Sequence, residues 1–190
     1  MSLRIFPVAG GARFTNDWAE PRSGGRSHLG NDLFAIEGTP LLAVDNGEVR
    51  FGTDTLGGNV ANLYATDGTK YYYAHLIGFA GPNGGTGYPG MRRVVRAGEV
   101  IGYLGRTGNA ASTSPHVHFE VHPGNGAAVN PYPMLMVSQR VPIPTLETRQ
   151  PNRLAAVFGV LGVGILTWWG LTQWGRIGAP SRSQLRRVNT

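Results

Sequence analysis

The first two-thirds of this 190-residue chain predict a mainly β domain of antiparallel strands, and the last third predicts one apolar helix. Three observations carry that division. Glycine (29 residues) and proline (13) punctuate the chain, and no long polar helical pattern interrupts them, which suits short strands joined by tight turns. The run His116-Val-His-Phe-Glu-Val121 alternates polar and apolar residues strictly, as a half-buried strand does. Residues 154–175 contain no charge, a length that spans roughly 30 Å of hydrocarbon as a helix.

Taken in order, the segment up to Gly25 reads as loop, because Gly10-Gly11, Pro21 and Gly24-Gly25 break any period. His28 and Asp32 follow. Four residues apart, they can converge on one ion from one helix face, or from an extended segment bent at Gly30; the spacing also suits a plain surface pair. Leu41–Val44 and Glu48–Phe51 read as a hairpin about Asp45-Asn46-Gly47, since Asn-Gly supplies the positive φ such turns require. A second hairpin joins Asn59–Thr66 to Lys70–Leu76 through Asp67-Gly68, with His75 near the end of the returning strand. Residues 77–93 form a glycine- and proline-rich loop long enough to border a binding site. Strands around Val94-Val95 and Val100–Leu104 are expected to pair, and the loop from Gly105 to Pro115 leads to His116.

In that last strand Val117, Phe119 and Val121 share one face, and His116, His118 and Glu120 the other. Adjacent imidazoles can hold a metal ligand beside a proton carrier, and they equally suit a solvated strand face. The absence of cysteine excludes disulfides and thiolate metal sites, so a transition-metal site must use His, Asp or Glu. A net charge of +6 and an isoelectric point near 10.2 suit anionic partners such as cell-wall polymers or lipid headgroups. Aromatic and basic residues do not interleave as in a nucleic-acid module, so no nucleic-acid partner is expected.

The pieces in order are more specific than any one. They run His28-x-Gly-x-Asp32, Gly38-Thr-Pro40, Asp45-x-Gly47-x-Val49, Tyr73-Ala-His75-Leu76, Gly98-x-x-Ile-Gly102, Gly105-x-Thr-Gly-Asn109, His116-x-His118-Phe-Glu120 and Asn130-Pro131. This set resembles the lysostaphin-type, or LytM-like, zinc endopeptidases over about residues 24–133. The resemblance implies an antiparallel β-sheet peptidase domain with long groove-lining loops, acting on peptidoglycan peptides. It implies one Zn²⁺ per chain, held by His28, Asp32 and His118, the three-ligand arrangement of catalytic zinc. It implies His116 as general base, with His75 across the site orienting water or stabilising charge. His122 is read as a rim residue rather than a ligand, and Glu120 either orients a ligand imidazole or faces solvent. The loops 77–93 and 109–115 look longer than in typical relatives, and both are expected to border the substrate groove.

The expected organisation is a peptidase domain over 1–135, a proline-containing linker over 136–153, a transmembrane helix over 154–175 and a basic tail over 176–190. Trp168, Trp169 and Trp174 gather at one end of the apolar run, as at a membrane interface, and the arginines after it favour a cytoplasmic C-terminus. The N-terminus lacks the basic-then-apolar plan of a secretory signal. A single-pass anchor without a signal suggests a cell-envelope or virion-borne enzyme, with virion or envelope proteins as partners. Two other functions fit the same sequence: a catalytically silent wall-binding or amidase-activating protein, and a membrane-anchored structural assembly protein.

Overall fold

The computed structural model describes residues 2–139. The expected transmembrane helix and basic tail, with most of the linker, lie outside the described residues. Among the described residues no helix is long and apolar enough to cross a membrane.

Besides four single 3-10 turns, the described chain forms eleven strands and one short α-helix: β1 (Pro21–Arg22), β2 (Arg26–Ser27), β3 (Asn31–Phe34), β4 (Pro40–Leu42), β5 (Gly47–Asp54), β6 (Gly58–Ala65), β7 (Lys70–Leu76), β8 (Gly78–Phe79), β9 (Arg92–Val95), β10 (Val100–Tyr103), β11 (His116–His122) and α1 (Tyr132–Ser138). Six strands form one sheet in the order β3-β11-β7-β6-β5-β9, and every neighbouring pair is antiparallel. A three-stranded sheet, β4-β10-β8, and the β1-β2 pair complete the topology.

The strand alternation divides the large sheet into two faces. Val117, Phe119 and Val121 of β11, Tyr71 and Tyr73 of β7, and Ala61 and Leu63 of β6 are all buried on one side. Leu41, Phe79 and Ile101 of the smaller sheet join the same cluster, with Phe51 stacked on Phe79 at 4.8 Å between ring centroids. Tyr73 sits edge-on to Phe119 and ties the sheets together by donating its hydroxyl to the Leu42 carbonyl at 3.0 Å. The other face of β11, β7 and β6 opens into a cleft.

The β6–β7 hairpin forms as the sequence indicates. Gly68 adopts φ +85°, and Asp67 accepts the Thr69 amide. Two other expected pairings do not form. β4 and β5 flank Asp45-Asn46 but belong to different sheets, because the Asn46 side chain accepts the Ala97 amide and the Ala43 amide bonds Glu99. The chain therefore crosses between layers there instead of folding back. β9 and β10 part in the same way, β9 pairing with β5 and β10 lying between β4 and β8.

The N-terminal segment is loop for most of its length, yet Leu3, Phe6 and Val8 enter the core and Val8 bridges Leu41. At the other end α1 runs three residues past the expected domain limit. Leu135 and Ser138 are buried there, and Gln139 donates to the Ala12 carbonyl.

Candidate active site

The cleft over the open face has a volume of 910 Å³, and His28, Asp32, His75, His116 and His118 all line it. Asp32 and His118 stand directly opposite each other in the β3–β11 ladder, so residues 86 apart in sequence share one face. His28 precedes β3 in an extended segment that pairs with the chain at Ala19–Glu20, and this decides between the helical and extended geometries that the spacing allowed. Gly30 makes the bend possible. A Cβ there would collide with the Phe119 carbonyl and the His118 ring.

His28 Nε2, His118 Nδ1 and Asp32 Oδ1 form one group, 2.7 Å between the two nitrogens and 3.1 Å from each nitrogen to the oxygen. The other nitrogen of each ring meets an acceptor. His28 Nδ1 lies 2.8 Å from the Asp17 carbonyl, and His118 Nε2 lies 2.8 Å from Glu120 Oε1. Glu120 takes the His118 N–H. His28 Nδ1 has both the Asp17 carbonyl and the Arg22 guanidinium Nη2 at 2.8 Å, and with its N–H on Nδ1 towards Asp17 the two facing nitrogens are lone pairs beside a carboxylate. Three electron-rich atoms this close require positive charge among them, supplied by a proton or a cation.

The titration behaviour agrees. Burial opposes charge on His118, but its bonds to Asp32 and Glu120 prevail and raise its pKa to about 9. Burial likewise opposes charge on Asp32, yet His118 and His28 hold it well below the ordinary carboxylate range. The donor set, two imidazoles and one carboxylate, fits zinc.

Two further imidazoles face the group. His116 directs Nδ1 to the Ser114 carbonyl at 2.8 Å, so Nε2 is the basic nitrogen, and it lies 3.9 Å from Asp32 Oδ1. His75 directs Nδ1 to the Thr107 carbonyl at 2.9 Å. Simple alternation along β7 would turn His75 into the core with Tyr71 and Tyr73. Its backbone instead adopts φ +68°, with its amide bonded to Gly57, and the side chain joins the cleft lining. A left-handed non-glycine residue costs about 1 kcal/mol, and it persists here because the contacts around it leave no alternative. The His75 and His116 ring centroids are 4.9 Å apart. Burial, then the neighbouring His116, lowers the His75 pKa to about 4.

Several residues that hold this arrangement are not evident in the sequence pattern. Arg22 donates from Nη2 to Asp32 Oδ2 at 3.0 Å and to Asp17 Oδ2 at 3.3 Å, securing the carboxylate oxygen turned away from the group. Buried Asn31 donates to Asp17 Oδ1 at 2.6 Å. Asp17 and Arg22 sit in the glycine-broken segment before the motif, where no periodicity marks them.

Of the two readings of Glu120, orientation of His118 is the one the geometry supports. His122 departs from expectation. It is only 9% exposed and bonds Glu120 Oε2 at 2.6 Å, because the curl at Pro123–Asn125 brings the Gly126 carbonyl over its other nitrogen. The loops also divide. Asn109, Ala110 and Thr113 line the cleft, whereas residues 77–93 do not; Arg93 bonds the Ala80 carbonyl within that loop and the Val100 carbonyl of the smaller sheet.

Comparisons with known proteins point the same way. The chain is 37% identical over 131 residues to the DD-carboxypeptidase/endopeptidase Mpg of Neisseria meningitidis serogroup B, covering 68% of this chain and 26% of that protein. It is 31% identical over 147 residues to the L-Ala–D-Glu endopeptidase of Bacillus subtilis, covering 70% and 43%. The chain thus spans less than half the length of either relative. Among solved structures, the catalytic domain of lysostaphin from Staphylococcus simulans superposes with a TM-score of 0.55 at 31% identity, covering 66% of this chain and 92% of that domain. Residues 26–131, which hold all five cleft-lining His and Asp residues above, match the model of Peptidase family M23, and the chain belongs to that family.

Proposed function

We propose that this protein is a zinc metalloendopeptidase that hydrolyses peptide bonds of peptidoglycan. The carrying observation is the trio of His28, Asp32 and His118 donor atoms in an open cleft, with the basic His116 Nε2 beside them. Zinc held there supplies a Lewis acid for the scissile carbonyl and a lowered pKa for water. His116 takes the proton of the attacking water at Nε2 and returns it to the leaving amine. Its Ser114 bond keeps Nε2 free for both transfers. His75, neutral under ordinary conditions and tied at Nδ1, lines the same cleft beside His116 and orients water or donates to developing negative charge.

The relatives named above support peptidoglycan as substrate through what their names state of them: a DD-carboxypeptidase/endopeptidase and an L-Ala–D-Glu endopeptidase. A silent wall-binding relative would have no need of a complete donor trio with two free imidazole nitrogens, so the enzyme reading is favoured. The uncharged segment 154–175 anchors the enzyme in a membrane, and a virion or a cell envelope is where it is delivered. Full-length protein in detergent, loaded with zinc and incubated with purified peptidoglycan, is expected to release new amino termini. No release across several wall types would sink the enzymatic reading. Carbonate extraction of membranes and immunoblots of purified virions test the anchor and the delivery separately.

A further inference from the structure

The cleft face of β11 carries more than the two histidines of the motif. His118, Glu120 and His122 project from it in succession, and each is bonded to the next. His118 Nε2 lies 2.8 Å from Glu120 Oε1, Glu120 Oε2 lies 2.6 Å from His122 Nε2, and His122 Nδ1 lies 2.9 Å from the Gly126 carbonyl. The chain begins at a ring whose Nδ1 belongs to the donor trio and ends on backbone. We propose that His122 is a positioning residue for the metal: through Glu120 it fixes the orientation and tautomer of His118.

The reasoning starts from the carboxylate. Glu120 alone could swing, since Lys70 and Asn62 share its stretch of cleft and water reaches it. A carboxylate bonded at one oxygen only can pivot about that contact, its other oxygen swinging free. His122 removes that freedom by occupying the second oxygen, and the Gly126 carbonyl in turn prevents the His122 ring from turning. Both His122 nitrogens face acceptors, and only the doubly protonated ring bonds both, donating from Nε2 to the Glu120 carboxylate and from Nδ1 to the Gly126 carbonyl. With Glu120 held, its other oxygen can only accept from His118 Nε2–H. That leaves His118 Nδ1 as a lone pair aimed at the trio, and hydrogen bonding of a ligand imidazole's far nitrogen to a carboxylate raises its basicity as well as fixing its plane. His122 is nearly buried, so it is not a rim contact for substrate.

This inference rests on the zinc reading above, and its test separates the two. Metal affinity of the full-length protein is measured by chelator competition, and the visible spectrum is recorded with Co²⁺ in place of Zn²⁺. Three variants are compared: His122→Ala, His122→Phe, which keeps ring volume without a donor, and His122→Gln, which keeps a donor near the Nε2 position. His122→Ala and His122→Phe are expected to bind Zn²⁺ about tenfold more weakly and to shift the Co²⁺ bands, whereas His122→Gln recovers most of the affinity. The metal-free melting temperature of His122→Phe reports folding independently. Phe and wild type binding Zn²⁺ equally, or Gln failing while Phe succeeds, overturns the proposal. A wild-type protein that binds no metal would instead refute the zinc reading itself.

Discussion

Asp32 and His118 face each other across the β3–β11 ladder with 3.1 Å between Oδ1 and Nδ1, so sheet register itself assembles the donor pair. His118 and His116, two residues apart on one strand, are therefore separable by function. His118→Ala is expected to abolish metal retention and cleavage together. His116→Ala is expected to keep the metal and lose about 10²- to 10⁴-fold in kcat, the span of a general base. Metal content by atomic absorption beside peptidoglycan digestion checks both. Undiminished cleavage by His116→Ala would remove it from the proton-transfer role.

Gly30 lies where the chain passes closest to His118. Gly30→Ala is expected to destabilise the fold by about 1–3 kcal/mol, as overpacking does, and to weaken metal binding by displacing His118 or the strand behind it. Urea denaturation with and without metal measures the two effects. A variant as stable and as tightly metallated as wild type would show that the approach is not tight.

His75 should leave a signature in acid stability. Its pKa falls from 6.5 to about 4 on folding, through burial and then His116. Between those values the unfolded chain takes a proton that the folded chain refuses. The stability intact above pH 6.5 is therefore lost as pH falls towards 4. His75→Asn removes that contribution and places a residue that accepts left-handed backbone at φ +68°. In metal-free protein its urea midpoint is expected to fall less steeply from pH 7 to 4.5, while its kcat collapses. Parallel pH profiles of variant and wild type would contradict this.

Arg26 and Lys70 line the cleft, and among the described residues neither makes a salt bridge. Although Asp54 and Glu120 line the cleft too, these two cations are expected to favour peptides that carry carboxylates over neutral polyglycine. Arg26→Glu and Lys70→Glu are each expected to lower kcat/KM on acidic stem peptides about fivefold, the ~1 kcal/mol of a partly exposed pair, with little change on a neutral peptide. Raising ionic strength should shrink the difference. Equal losses on acidic and neutral peptides would refute a charge-based preference.

Much of the site is legible in the sequence. The alternation of β11 places Val117, Phe119 and Val121 inward and the histidines outward, because the period of a strand is local. The ordered motifs identify the family and select His28, Asp32, His75, His116 and His118. The paired strands β6 and β7 are legible because Asp67-Gly68 is a complete turn signal within a few residues. Asp45-Asn46-Gly47 carries a similar signal and misleads. There the Asn46 side chain is taken by Ala97, 51 residues away, and a long-range bond overrides the local turn.

What the sequence by itself determined is therefore the local and the ordered: strand faces, one turn, the residue types able to hold zinc, and the family those residues spell. The tertiary structure decided the rest. It set the register that opposes Asp32 to His118, the left-handed backbone that turns His75 out of the core, and the attachment of Asp17 and Arg22 behind the donor trio. It also closed the Glu120–His122 chain, whose second histidine strand parity alone leaves at the rim. The physical reason is common to all four. A side chain's face follows from its own strand, but its partners follow from pairings between segments far apart in the chain, and no period within one segment encodes them.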